Sequence, residues 1–262
     1  FLLANGIIGP VLLGAAVATF FNGSNFVVSK GNITQEAMPV ISQWANGWHG
    51  LDALLDLWNV VLGLAVLFLS RCLGILYFIN NVSDAELLPR FRRRLMIESV
   101  CFVVFFVPFV IYVLLKDGFA VDAASGSIVM ESYKYFHNLM AMPWVLGLFL
   151  LGVVAVLFGL GRSILCATYN KGIWFAGVGT VLAVLALLLT VGYNNTAYYP
   201  SAADLQSSLT LSNSCSSLFT LKTMAYVSVF IPFVLAYIIY AWRAIDRKPI
   251  TADEMKESDH AY

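Results

Sequence analysis

The sequence predicts an all-α fold, a polytopic bundle of transmembrane helices with six spans. Composition is the first reason: 60% of the 262 residues are hydrophobic and only 11% are charged, whereas a soluble domain averages about 25% charged residues. The second reason is that six segments are each apolar over the length of about 20 residues that a spanning helix needs. These segments are continuously apolar, while the strands of a membrane barrel alternate.

The six predicted spans follow one another within a single transmembrane domain, residues 1–262. Their approximate ranges are 1–21, 54–79, 95–115, 143–165, 173–193 and 223–242, and a polar tail occupies 243–262. Prolines fall inside three spans, and membrane helices tolerate them with a kink; they are Pro10, Pro108 and Pro232. Small residues recur within spans and allow neighbouring helices to approach closely; they are Gly6, Gly9, Gly14, Gly147, Gly152, Gly159, Gly161, Gly177 and Gly179.

Lysines and arginines predict the orientation of the spans, because cytoplasmic loops carry an excess of both. Ten of the fifteen basic residues lie at three connections, those after the second, fourth and sixth spans. The opposite connections, about 22–53, 116–142 and 194–222, are longer and hold only four. Both ends of the chain should therefore be cytoplasmic. The chain opens at Phe1 inside an apolar run, without the charged region of a signal peptide, so we expect a fragment whose N-terminal part is missing.

Arg71 gives the strongest functional signal of any single residue. It lies about two helical turns from the cytoplasmic end of the second span, and charge inside a membrane is expensive and usually marks pairing or a functional pathway. Glu98 begins the third span on the same side and is the expected ion-pair partner. Snorkelling of Arg71 to the interface and a role in a proton or quinone pathway are the alternatives.

Two more groups of residues are candidates for function. Residues 50–58 can form a helical lead into the second span, which would place Asp52 and Asp56 one turn apart on one face and Trp58 in the interfacial aromatic belt. The cluster Arg92, Arg93 and Arg94 is primarily a topology signal and secondarily a binding site for anionic lipid headgroups. The net charge of zero argues against a nucleic-acid partner.

No catalytic or metal-binding motif is recognisable in the sequence. His49 and His137 lie in outer connections and His260 lies in the tail, so no pair of histidines faces another across the spans as haem ligands would. The cysteines include no CxxC pair, which favours packing over a zinc site or a disulfide framework; they are Cys72, Cys101, Cys166 and Cys215. We therefore predict no catalytic centre, no metal and no bound cofactor on this chain.

The C-terminal segment carries the most specific motif. It reads Ser208-Leu209-Thr210, Ser216-Ser217, Thr220-Leu221 and Met224, then Ile231-Pro232-Phe233-Val234-Leu235-Ala236-Tyr237 and Lys248-Pro249-Ile250-Thr251. This segment resembles the C-terminal end of subunit II of the cytochrome bd-type quinol oxidases. Looser likenesses run in order through Gly14–Gly23, Leu54–Gly63 and Ala141–Trp144. The chain departs from the family pattern at Ser212-Asn213, where Trp-Asp is usual, and at Cys215, where alanine is common.

The resemblance implies a function in the bacterial inner membrane. The holoenzyme oxidises a quinol from the quinone pool and reduces dioxygen to water, and its haems b and d are bound by the partner, subunit I. Subunit II would stabilise the haem subunit and support proton or oxygen access, and in some members it holds a structural quinone. About three spans with the family's proton-path acids would precede this sequence, and a small third subunit is left open.

Two other classes of protein stay open at this point. A secondary transporter is suggested by the kinked helices and by Arg71, although no acidic residue lies at mid-membrane, where coupling-ion sites form. The other class is a purely structural assembly subunit without a proton or gas pathway. Arg71, Glu98, Asp56 and Trp58 are the residues whose roles would separate these alternatives.

Overall fold

A computed structural model describes residues 2–29 and 41–245, in which long apolar helices account for most of the chain. The predicted all-α bundle is confirmed, because six helical segments in this part are long and apolar enough to cross a membrane. The helices are α1 (Leu2–Asn22), α2 (Leu57–Asn81), α3 (Leu87–Leu115), α4 (Lys134–Ala141), α5 (Pro143–Leu165), α6 (Gly172–Leu189), α7 (Leu218–Ser228) and α8 (Ile231–Ile245). Helices α7 and α8 together form the sixth candidate span, Leu218–Ile245.

The prolines act differently in the three spans that contain them. Pro10 and Pro108 stay inside the continuous helices α1 and α3. Pro232 lies in the first turn of α8, directly after the break that separates α7 from α8, a position where its missing N–H leaves no helical bond unmade. Most of the predicted tail, residues 246–262, lies outside the described residues, as does His260.

Close helix packing depends on a subset of the predicted small residues. A Cβ built on Gly14 would lie 2.7 Å from the Cα of Gly63, so α1 and α2 meet backbone to backbone there. On α5, a Cβ on Gly152 would lie 2.6 Å from the backbone nitrogen of Ala183 on α6, and Gly159 makes a similar approach to Ala176. The prediction is confirmed at these glycines and at Gly179. Gly6, Gly9, Gly147, Gly161 and Gly177 make no such approach to another described helix.

The three long connections gather at one end of the bundle, which we call the outer end. Strand β1 (Phe26–Val28) pairs with β2 (Ser42–Trp44), and β3 (Gly118–Val121) pairs with β4 (Ile128–Glu131), both antiparallel. The Gln206 side chain exchanges two hydrogen bonds with the backbone of Ile128, and the backbone N–H of Val28 donates to Ser207 Oγ. The two ribbons were not predicted, but their grouping agrees with the charge pattern.

The last span stands beside the bundle, with none of its residues buried. The ring of Trp242 near the end of α8 meets the ring of Tyr77 on α2 edge to face, with centroids 6.0 Å apart. The core lies instead among α1, α2, α3, α5 and α6, where Phe21, Leu76, Leu95 and Phe109 are at most 1% exposed.

Candidate functional site

Glu98 forms a buried charge cluster at the end of the bundle opposite the outer connections, which we call the inner end. Its side chain is 2% exposed, and Arg71 Nη2 lies 2.8 Å from Glu98 Oε1. Arg94 Nε lies 2.7 Å from the same oxygen. The expected pairing of Arg71 with Glu98 is therefore present, and Arg94, one turn before Glu98 on α3, adds a second cation.

The two arginines leave half of the carboxylate without a partner. Both approach Oε1 outside hydrogen-bonding geometry, and Oε2 has no hydrogen-bond partner among the described residues. Nearby, Cys72 Sγ lies 3.7 Å from Ser99 Oγ and fills the adjoining α2–α3 contact. Because a buried charge needs compensation, the cluster of Arg71, Glu98 and Arg94 ties the inner ends of α2 and α3 together.

A second polar cluster joins α1, α2 and α3 at the outer end. The side-chain amide of Asn22 donates to Asn59 Oδ1 at 2.7 Å, and the amide of Asn59 donates to the carbonyl of Ala53 at 2.9 Å. Lys116, directly after α3, donates through Nζ to Phe21 O at 2.9 Å and to Asn22 Oδ1 at 2.8 Å. Lys116 thus satisfies a carbonyl at the C-terminal end of α1, where a cation is favourable.

Asp56 and Trp58 have defined structural places beside this outer cluster. Asp56 caps α2, since its carboxylate accepts from the backbone N–H groups of Trp58 at 2.8 Å and Asn59 at 3.0 Å. Trp58 stacks on Tyr112 with ring centroids 4.1 Å apart and planes 5° from parallel. Asp56 therefore fixes the start of α2, and Trp58 packs that start against α3.

The predicted helical lead into α2 is a short 3₁₀ helix, Leu51–Leu55. Asp56 follows it in extended conformation, because a capping residue takes non-helical angles. The expectation that Asp52 and Asp56 share one α-helical face is therefore wrong. Asp52 accepts hydrogen bonds from Asn25 and Asn46, and these bonds, Asn25 foremost, lower the pKa of its carboxyl.

A small polar cavity of about 130 Å³ lies at the outer end, lined in part by Asn22, Asp52, Asp56 and Asn59. It is large enough for water. Between Asn59 and Arg71, however, α2 runs for about 18 Å at 1.5 Å per residue, and Ser70 is the single polar side chain of that stretch. The Ser70 hydroxyl donates to Leu67 O of its own helix. The side chains of α2 therefore give no continuous polar route between the outer and inner clusters.

Lys116 should make the stability of the protein depend on pH. Burial lowers the pKa of Lys116 to about 8, against a smaller opposing effect of Asp56 and Asp117. The unfolded chain then holds this proton more tightly than the folded one, so stability rises between about pH 8 and pH 10.5. Relative to Lys116→Met, the wild type should gain at most about 3 kcal/mol across this window, at about 1.4 kcal/mol per pKa unit.

Thermal unfolding of the purified protein from pH 7 to pH 10 measures this gain. The matched control is Lys222→Met, which removes an exposed lysine of α7 and should leave the pH profile of the wild type unchanged. A Lys116→Met profile parallel to the wild type would contradict the effect.

The arginine cluster after α2 divides into three different roles. Arg92 donates to the backbone carbonyls of Ser163, Cys166 at 2.8 Å and Ala167 at 2.7 Å, and to Asn170 Oδ1 at 3.0 Å. Its guanidinium therefore caps the C-terminal end of α5, and Arg94 is held by Glu98. Arg93 is exposed and makes no hydrogen bond or ion pair within the described residues. Lipid-headgroup binding by Arg92, Arg93 and Arg94 stays a prediction, and Arg93 is the most available of them.

Replacing Arg92 by methionine should loosen the link between α5 and α6. Each carbonyl that loses its donor away from water costs about 1–3 kcal/mol, so amide hydrogen exchange across residues 163–170 should accelerate at least tenfold. The control is Arg93→Met, which removes an exposed charge from the next position. Equal exchange in the two variants would show that the α5 cap does not depend on Arg92.

No group of three or more His, Cys, Asp or Glu residues that could hold a metal ion occurs in residues 2–29 and 41–245. His137 is 56% exposed, and its Nδ1 lies 3.3 Å from Glu131 Oε1. His49 occupies an exposed turn with a φ of 49°. Neither histidine lies buried among the helices, where an axial ligand of haem would stand.

These features define a class: a multi-pass helical membrane protein whose buried polar groups fasten helices to one another at both ends of the bundle. The family model described as cytochrome bd terminal oxidase subunit II matches residues 1–245. The chain belongs to this family, as the C-terminal motif predicted. No curated protein matches the chain.

Proposed function

We propose that this chain is the haem-free partner subunit of a quinol oxidase in the bacterial inner membrane, with both ends of the sequence cytoplasmic. The complex oxidises quinol from the quinone pool and reduces dioxygen to water at haems b and d of subunit I. The observation that carries the proposal is the family match over residues 1–245. A small third subunit and a structural quinone stay predictions.

The contribution of this subunit is mechanical support. The cluster of Arg71, Glu98 and Arg94 joins α2 to α3 at the inner end. The outer cluster of Asn22, Asn59 and Lys116 joins α1, α2 and α3 at the outer end. Gly152, Gly159 and Gly179 allow α5 and α6 to pack closely against each other. A rigid bundle of this kind gives a haem subunit a fixed surface to pack on.

Oxygen access is better supported by the geometry than proton access. Two apolar cavities of about 260 and 300 Å³ share Leu69, Phe102 and Phe106 in their walls. Thr180 lines both cavities and Ser70 lines the larger one. Both hydroxyls donate to carbonyls of their own helices, so the cavities favour an apolar solute such as dioxygen. A proton route would need to bridge the apolar stretch of α2 between Asn59 and Arg71.

Affinity purification of the full-length protein from its native membrane tests the assignment. The protein should bring down a second, haem-bearing chain, and the sample should show the visible absorption of haems b and d. A colourless, monodisperse monomer would contradict the proposal.

Replacing Arg71 by methionine separates mechanical support from a pathway. If the role of Arg71 is mechanical support, the variant should contain less assembled oxidase, because Glu98 would keep only Arg94 as a partner and the bundle would be less stable. The turnover per haem of the oxidase that does assemble should be unchanged. Normal assembly with lost turnover per haem would place Arg71 in a proton or quinone pathway. Arg90→Met is the control, since Arg90 is exposed and lies 3.9 Å from Glu86.

A further inference from the structure

A cleft of about 730 Å³ separates the last span from the inner end of the bundle. Its walls come from the C-terminal end of α2, the first turn of α6 and the second half of α8. The ring contact between Tyr77 and Trp242 closes one part of it. The volume is within the range of about 300–1,000 Å³ that ligand sites occupy.

The lining of this cleft has an apolar zone and a polar rim. Ile238 and Ile239 lie one turn deeper along α8 than Trp242 and Arg243, about 6 Å at 1.5 Å per residue. Across the cleft, Trp174 lies in the first turn of α6 and Asn80 in the last turn of α2. Indole rings and cations at this depth are typical of the headgroup level of a bilayer.

Charge at the rim favours an anionic headgroup. Arg243 is exposed and makes no ion pair within the described part of the chain. A basic group near the membrane surface attracts an anionic lipid by about 1 kcal/mol, and Arg243 is the basic residue that lines the cleft. The isoleucines below the rim offer no polar group and suit hydrocarbon chains.

The walls of the cleft match the two parts of a phospholipid. Ile173, Ile238 and Ile239 give an apolar zone for acyl chains, and Arg243 gives one exposed cation for a phosphate. No residue of α7 or α8 is buried, so a molecule seated in this cleft would add contacts between the last span and the bundle.

We propose that this cleft binds an anionic phospholipid, whose phosphate pairs with Arg243 beside Trp174 and whose acyl chains pack on Ile173, Ile238 and Ile239. The lipid bridges α8 to α2 and α6 and so fastens the last span. This site is separate from the cluster Arg92, Arg93 and Arg94, and it does not depend on the oxidase assignment.

Lipid titration of the purified, delipidated full-length protein, with any subunits that accompany it, tests the site. Phosphatidylglycerol should raise the thermal midpoint more than phosphatidylcholine does, and native mass spectrometry should show one retained phosphatidylglycerol. Arg243→Gln should bind it about fivefold more weakly, the effect of one interfacial cation. Arg90→Gln, which removes a charge from the same end outside the cleft, should bind as the wild type does.

A second variant keeps the test valid if Arg243→Gln fails to fold. Ile239→Trp should fill the apolar zone and abolish retention of the lipid while leaving Arg243 in place. Equal binding of the two lipids by the wild type, or unchanged binding by both variants, would overturn the proposal. A photo-crosslinker at position 239 should capture lipid, and capture of a second polypeptide would show that a partner subunit occupies the cleft instead.

Discussion

Replacing Glu98 by glutamine should destabilise the folded subunit by about 2–3 kcal/mol. Arg71 and Arg94 would lose the one carboxylate that both contact, and breaking a buried ion pair on one side typically costs about 3–5 kcal/mol. We expect less than that because the two arginine side chains are 40% and 55% exposed and can turn toward water. The thermal midpoint of the purified complex and its level in the membrane measure the loss.

Glu86→Gln is the matched control for Glu98→Gln. Glu86 also pairs with an arginine four residues away on the same helix side, but both partners are exposed and their charges lie 3.9 Å apart. Such surface pairs contribute about 0–1 kcal/mol, so this variant should behave as the wild type. Equal stability of the two glutamine variants would show that the inner cluster does not hold α2 to α3.

Replacing the whole cluster of Arg71, Glu98 and Arg94 by apolar residues separates the contribution of charge pairing to stability from that of packing. Substituting Arg71→Met, Glu98→Leu and Arg94→Met together leaves no uncompensated charge, and such replacements are often neutral or stabilising. The triple variant should therefore recover most of the stability that Glu98→Gln loses. Its turnover per haem then reports on function alone.

The long-range fold was predictable because a membrane span has a length and composition that the sequence shows directly. The pairing of Arg71 with Glu98 was predictable for a related reason, since two charges at the same end of adjacent spans have few other partners. Arg94 could have been added, because it stands four residues before Glu98 and so lies on the same helix face.

The outer cluster was missed because its members look ordinary in the sequence. Asn22, Asn59 and Lys116 each stand at the end of an apolar run, where polar residues are expected. Their convergence depends on how α1, α2 and α3 are rotated about their axes, which no local pattern records. The capping of α5 by Arg92 was missed for the same reason, since its acceptors lie more than 70 positions away.

The exposure of the last span could not be predicted from the sequence either. The run from Ala225 to Trp242 is as apolar as the other spans, yet the residues of α7 and α8 are not buried in the bundle. An apolar composition predicts that a helix enters the bilayer, but it does not predict whether lipid or protein covers the helix. The cleft between α8 and the ends of α2 and α6 depends on how these helices pack, which the sequence does not show.

Replacing Gly152 by alanine should push α5 and α6 apart and destabilise the bundle by about 1–3 kcal/mol, the usual effect of overpacking. The added Cβ would lie 2.6 Å from the backbone nitrogen of Ala183 and 2.8 Å from the carbonyl oxygen of Gly179. Backbone atoms cannot turn away as a flexible side chain can, so the two helices must separate. Thermal unfolding and the yield of assembled complex measure the effect.

Gly147→Ala is the control in the same helix. A Cβ at Gly147 meets nothing within 4 Å, and alanine is favoured over glycine in a helix by up to about 1 kcal/mol. The two substitutions are chemically identical, so helix propensity alone predicts that both stabilise α5. Changes in stability of opposite sign for Gly152→Ala and Gly147→Ala would isolate the contribution of the α5–α6 contact. A Gly152→Ala variant that is more stable than the wild type would contradict the close contact between α5 and α6.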